Sequence, residues 1–127
     1  MSKVALDASA LLALLNDETG ADQVIELLPK ALISTVNLAE VVTRLSLLGM
    51  PGEQIREVLT LLGLNTIPFD EEQAFLAGSF TVQTHSLGLS LGDRACLALA
   101  STIGATAVTA DRVWQELNLG VKIQLIR

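Results

Sequence analysis

The 127-residue chain has no tyrosine, one cysteine, one histidine, one tryptophan and three prolines, and only 3% of it is aromatic. A lone cysteine excludes an internal disulfide and fits a reducing compartment; Cys96, on an apolar helix, is expected in the core. The one histidine, His85, lies in Thr-His-Ser-Leu-Gly with no orienting partner in sequence. It is therefore expected at the surface, and no Gly-x-Ser-x-Gly elbow is present for a Ser-His-Asp hydrolase. Positive charge is also scarce: 8 Lys and Arg stand against 14 Asp and Glu, a net charge of −6. That balance argues against nucleic acid held on a basic face, but leaves open an enzyme whose positive charge arrives as metal ions. No run approaches the roughly 18 apolar residues of a membrane span. In the opening Met-Ser-Lys-Val-Ala-Leu-Asp, Asp7 interrupts the apolar stretch before a signal-peptide core forms, so a cytoplasmic location is expected.

What the chain does have is aliphatic mass. Half of it is hydrophobic, mostly Leu, Ala, Val and Ile, enough to bury a core within one domain spanning 1–127. No internal repeat, linker or low-complexity tract divides it. Short apolar runs alternate with longer helical stripes. Strands are expected at Lys3–Leu6, Ala31–Ser34, Asn65–Ile67, Ala105–Thr109 and Val121–Leu125. Between them the spacing predicts helices over Ser9–Leu15, Ala21–Leu28 (opened by a Thr19/Asp22 capping pair), a stretch capped by Thr35 or Asn37 and running to Leu48, Ile55–Leu62, Asp70–Ser86, Gly92–Ile103 and Arg112–Leu117. Such alternation implies right-handed crossovers and a parallel sheet covered by helices, with reactive groups beyond the carboxyl ends of the strands.

Most of the acids fall at helix starts or on polar faces. Four sit differently. Asp7 and Asp111 end strands, whereas Glu40 and Asp93 lie in the first turns of apolar helices. Each has a plain structural reading: Asp7 and Asp111 as N-caps, and Asn37/Glu40 and Ser90/Asp93 as capping boxes. Taken together, four acids at one sheet edge repel one another unless cations neutralise them. Oxygen ligands without Cys or His select Mg²⁺ or Mn²⁺, ions whose usual employment is phosphoryl chemistry.

The segments Val4-Ala5-Leu6-Asp7-Ala8-Ser9, Asn37-Leu38-Ala39-Glu40-Val41, Leu91-Gly92-Asp93-Arg94 and Thr109-Ala110-Asp111-Arg112 follow in the order of a PIN domain. With its overall size and closing hydrophobic strand, the chain resembles the VapC-type toxin ribonucleases over essentially its whole length. The resemblance implies a three-layer α/β/α fold around a parallel sheet of four to five strands. It also implies a Mg²⁺- or Mn²⁺-dependent endoribonuclease in which water attacks a phosphodiester in line. Asp7, Glu40, Asp93 and Asp111 match the family's acidic, metal-holding quartet, and Ser9, Asn37 and Thr109 match its polar supporting positions. Homodimers are common in the family, and a cognate antitoxin holds the toxins inactive by inserting a segment into the acidic groove. A PIN nuclease of RNA processing or decay, or a catalytically silent RNA-binding module, shares the same features.

The chain departs from some members in having Arg112-Val113-Trp114, not a further acid, after Asp111. Arg44, Arg94 and Arg112 each follow a quartet acid, as phosphate contacts or as ion-pair partners of the acids. Trp114 is expected to pack the last helix. The Leu-rich helices over 36–48 and 55–62 carry enough apolar surface for a dimer or an antitoxin groove, a helix-rich core being the alternative. Two other Mg²⁺ phosphotransfer classes fit less well. Asp7-Ala8-Ser9 lacks the Asp-x-Asp of aspartyl phosphatases, and no receiver-type acceptor Asp and Lys pair is found.

Overall fold

The computed structural model describes residues 2–127. Five short strands form one all-parallel sheet: β1 (Val4–Leu6), β2 (Ala31–Ser34), β3 (Asn65–Ile67), β4 (Thr106–Thr109) and β5 (Ile123–Leu125). Their order is β3-β2-β1-β4-β5, so the direction of sheet growth reverses between β1 and β4. The helices are α1 (Ala8–Leu15), α2 (Ala21–Leu27), α3 (Thr35–Leu47), α4 (Gly52–Leu61), α5 (Glu71–Ser79), α6 (Thr81–Thr84) and α7 (Leu91–Ile103), with 3₁₀ turns at Leu28–Lys30, His85–Leu87 and Arg112–Glu116.

Central strands of a parallel sheet are covered on both faces and read as continuous apolar runs. Val4, Ala5 and Leu6 of β1 are accordingly all buried. The pleat then divides them. Val4 and Leu6, with Ile33 and Val108, pack on one side against α1, α2, α3 and α4. Ala5, with Leu32 and Ala107, packs on the other side against Ala77 of α5, the buried stripe of α7 and Trp114. The result is the expected α/β/α sandwich with a five-stranded parallel centre. Cys96 and Trp114 are fully buried in the second layer, and His85 is exposed.

Several local expectations are corrected. The stretch 70–86 is not one helix. Past Ser79 it breaks into α6 and a 3₁₀ turn that ends at Gly88 in the left-handed conformation; the Ser79 and Thr84 hydroxyls donate back to the carbonyls of Leu76 and Phe80, which keep their backbone partners as well. α2 is not capped by Thr19; its N-cap is Gly20 at φ +102, with no side-chain cap bond. Glycine is required there, because an added Cβ would lie 2.6 Å from the Ile126 carbonyl oxygen. The same corner is closed by the Glu18–Arg127 ion pair at 3.3 Å. α3 is capped by the last residue of β2, Ser34, whose hydroxyl accepts from Val36 N, and not by Thr35 or Asn37. Since Ser34 is fully buried, Ser34→Ala is expected to destabilise the fold by about 1 kcal/mol, the usual worth of a cap. A thermal melt should register that as a fall of about 4 °C; an unchanged melt would show the cap to be redundant.

Candidate active site at the sheet switch point

Asp7 leaves the carboxyl end of β1 and Asp111 follows β4, so both stand where the strand order reverses, the usual place for a site in an open parallel sheet. Asp7 is 3% exposed. Its Oδ1 accepts from the Ser9 hydroxyl at 2.7 Å and from Ala10 N at 2.9 Å, and its Oδ2 accepts from the Thr109 hydroxyl at 2.6 Å. It therefore caps α1 as well as sitting at the edge. Ser9 in turn accepts from Ala110 N, and Thr109 accepts from Asp111 N, so the two hydroxyls tie the loop after β4 to the Asp7 carboxylate. Asp111 is exposed and caps the last 3₁₀ turn through Val113 N.

Glu40 and Asp93 come from α3 and α7, which pack against each other. Asp93 closes a full capping box: the Ser90 hydroxyl accepts from Asp93 N, while Asp93 Oδ2 accepts from Ser90 N. The Asn37/Glu40 pair is not a capping box. Asn37 is buried, and its Nδ2 donates both to Glu40 Oε1 at 2.9 Å and to the Gly92 carbonyl at 3.0 Å, bridging the two helices. The Glu40 carboxyl lies over Gly92, whose missing side chain leaves the room it occupies. Gly92 is thus a site residue that sequence reasoning passed over, since its role depends on a side chain from a different helix.

The electrostatics link three of the four acids. Burial, opposed by the three hydrogen bonds and aided by the Asp93 charge, pushes the Asp7 carboxyl from 3.8 up to about 6. Burial likewise raises Glu40; the Asn37 bond opposes the shift and Asp93 adds to it. The charges of Asp7, Asp93 and Glu40 also all bear on the buried Cys96 thiol, which burial has already pushed up. No basic side chain offsets them: among the described residues the one ion pair is Glu18–Arg127. Arg44, Arg94 and Arg112 are therefore not ion-pair partners of the acids. Arg94 Nη1 instead donates to the Ala77 carbonyl of α5, and Arg44 and Arg112 are exposed. Arg44 lines an open recess of about 820 Å³ along α3 together with Glu40, Thr35, Thr43, Leu47 and Phe69.

Among the described residues no three His, Cys, Asp or Glu side chains are grouped closely enough to hold a metal ion between them. The acids form an open rim, not a closed coordination sphere. Their chemistry still fits a hard divalent cation. The donors are all oxygen; among the described residues Glu40 Oε2, Asp93 Oδ1 and Asp111 Oδ2 accept no hydrogen bond, and the raised Asp7 and Glu40 carboxyls have no ion-pair partner.

A family model described as PIN domain matches residues 4–118 of this chain. No curated protein sequence matches it. Among solved structures, a chain of the DNA-bound VapBC from Salmonella typhimurium is similar at a TM-score of 0.78 and 19% identity, with 100% of both chains covered. A chain of the toxin–antitoxin complex from Klebsiella pneumoniae aligns at 0.76 and 18%, covering 98% of each. VapBC2 from Rickettsia felis, bound to a promoter DNA fragment, aligns at 0.74 and 21%, covering 96% of this chain and 97% of the other. At these identities the structural likeness speaks to the fold alone.

Proposed function

The chain belongs to the PIN domain family, and from that premise we propose that it is a divalent-metal-dependent endoribonuclease and the toxin of a toxin–antitoxin pair. The observation that carries the nuclease reading is the rim itself: the Asp93 charge adds to the cost of ionising both Asp7 and Glu40 at the switch point, with no ion-pair partner for them among the described residues. A fold retains such a group of acids at a cost in stability, which a bound cation would offset. Asp7, Glu40, Asp93 and Asp111 would hold Mg²⁺ or Mn²⁺, directly or through water. When bound, such an ion supplies the positive charge that lowers the pKa of an attacking water and offsets charge building on the phosphate.

The protein's own part is orientation. Ser9, Thr109 and Ala10 N fix Asp7, Asn37 fixes Glu40, and the Ser90 cap fixes Asp93, so three of the carboxylates are held in set orientations at the rim. Arg44, one helical turn beyond Glu40 in the recess, and Arg112 beside Asp111 are suited to hold the RNA backbone near the rim. The antitoxin partner is supported by the VapBC and toxin–antitoxin complexes among the similar structures. Leu47, Leu48 and Leu61, each at least 67% exposed at the ends of α3 and α4, are suited to cover by a partner or a second copy.

The test is cleavage of a defined single-stranded RNA by the purified chain with Mn²⁺, with Mg²⁺, and with chelator. Products ending in 5′-phosphate and appearing only with metal support the reading; cleavage unaffected by chelator, or none under any condition, counts against it. Arg44→Ala is expected to weaken RNA binding and to flatten the slope of log affinity against log salt by about 0.7, one phosphate contact on a single strand. An unchanged slope would remove Arg44 from the RNA path.

A further inference from the structure

We infer that Gly92 and Asn37 form a latch between α7 and α3 that sets the Glu40 carboxylate in its working position beside Asp93, making both of them positioning residues for the site. The inference rests on the reading of Glu40 as a metal-holding acid and adds how the fold delivers it there.

Glycine at 92 needs an explanation. It lies in the first turn of a thirteen-residue helix, where glycine is among the least favourable residues, and it does not use the positive φ that makes glycine necessary at Gly20 or Gly104. Backbone conformation thus gives no reason for it. Space does. A Cβ built on Gly92 would fall on both oxygens and the carboxyl carbon of Glu40, the tip of a flexible side chain, so a side chain at 92 would displace the carboxylate from this place. Alanine, the best helix former, is thereby excluded unless Glu40 moves.

Asn37 supplies the attractive half. One amide nitrogen donates to both Glu40 Oε1 and the Gly92 carbonyl. The amide orientation follows from its partners, since both are acceptors and the opposite orientation would set Asn37 Oδ1 against two oxygens. Asn37 is 1% exposed and its Oδ1 is left without a partner, so the fold gives up a buried acceptor to keep this donor in place. The bare Cα of Gly92 permits the approach, and Asn37 fixes it.

A two-residue cycle tests this in the full chain: wild type, Gly92→Ala, Glu40→Ala and the double variant, each measured for Mn²⁺ affinity and for metal-free Tm. The latch predicts that Gly92→Ala weakens Mn²⁺ binding about tenfold, the usual cost of disturbing a residue that orients a ligand. It also predicts that Gly92→Ala costs nothing further once Glu40 is gone. In metal-free melts Gly92→Ala should lower Tm while Glu40 is present, and leave it unchanged or raise it in the Glu40→Ala background. A Gly92→Ala protein that binds Mn²⁺ like wild type overturns the inference, as do losses that add independently in the two backgrounds. If Gly92→Ala alone does not fold, the double variant must; its failure to fold overturns the latch equally. A wild-type chain that binds no Mn²⁺ would sink the metal reading, while the metal-free melts still decide the Gly92–Glu40 contact.

Discussion

Asp7→Asn is expected to abolish metal-dependent RNA cleavage and, in the same protein, to raise the stability of the metal-free fold at neutral pH. The amide keeps the shape of the carboxyl group. Its oxygen can still accept from Ser9 and Ala10 N, and its nitrogen can donate to the Thr109 hydroxyl, which has a second lone pair available beside the one facing Asp111 N. What is lost is the charge. In the native chain that charge is almost wholly buried and its pKa stands at about 6 against an ordinary 3.8, a difference worth about 3 kcal/mol against folding once the group is ionised. The sign follows from proton binding. Between 3.8 and about 6 the folded state holds the proton and the unfolded state does not, so wild-type stability rises as pH falls through that window. The advantage of Asp7→Asn should be full at about pH 7.5, shrink below 6 and vanish near 3.8. Chemical denaturation at a neutral pH and at one inside that window reads it directly. A variant that cleaves RNA normally would remove Asp7 from the site. One with the same stability difference at both pH values would show that the carboxyl is not held as described.

The broad architecture was open to sequence reasoning because it rests on short-range signals. Val4-Ala5-Leu6 followed by an acid, and Ala105–Thr109 followed two residues later by another, mark buried strands ending at a polar edge, and the helices between them are long enough to cross over. The capping roles of Asp7, Asp93 and Asp111 are equally local, each spanning two or three residues. What spacing alone misjudged involves distant partners or competing bonds. Asn37 and Glu40 have capping-box spacing, but Ser34 has already taken the cap, and Asn37 turns to a carbonyl on α7. The break after Ser79 falls where the backbone at Phe80 stays helical, so no periodicity reveals it. The use of Gly92 is invisible in the sequence, because the Glu40 carboxyl above it comes from a different helix. The ion pairs considered for Arg44, Arg94 and Arg112 fail for a related reason: sequence proximity to an acid on a helix does not aim the guanidinium at it, and Arg94 is drawn to α5.

Adding Mn²⁺ is expected to remove most of the pH dependence just described. Without metal, the Asp7 and Glu40 carboxyls are both shifted upward, so the folded state takes up protons more readily than the unfolded state and stability falls as pH rises through the carboxylate range. A bound divalent ion requires those carboxylates ionised, as they already are in the unfolded chain above the ordinary 3.8, so the loaded native state and the unfolded chain hold nearly equal protons and stability is close to level with pH. Below about pH 6 the ion competes with the Asp7 proton, and apparent affinity should drop by up to about tenfold per pH unit, more steeply where Glu40 protonates as well. Near neutral pH, Mn²⁺ at about a hundred times its dissociation constant adds about 2.7 kcal/mol to the native state, enough to cancel most of the burial cost of the Asp7 charge. Melts from about pH 4.5 to about pH 7.5, with millimolar Mn²⁺ and with chelator, should therefore give two curves that diverge with rising pH and nearly meet at the acidic end. Parallel curves would mean that any metal bound sits away from these acids. Coincident curves would mean that none binds, and the rim would then be three helix caps and a bridged glutamate that happen to share an edge. Divergence that is lost in Asp7→Asn would assign the linkage to the one carboxylate the fold has most thoroughly enclosed.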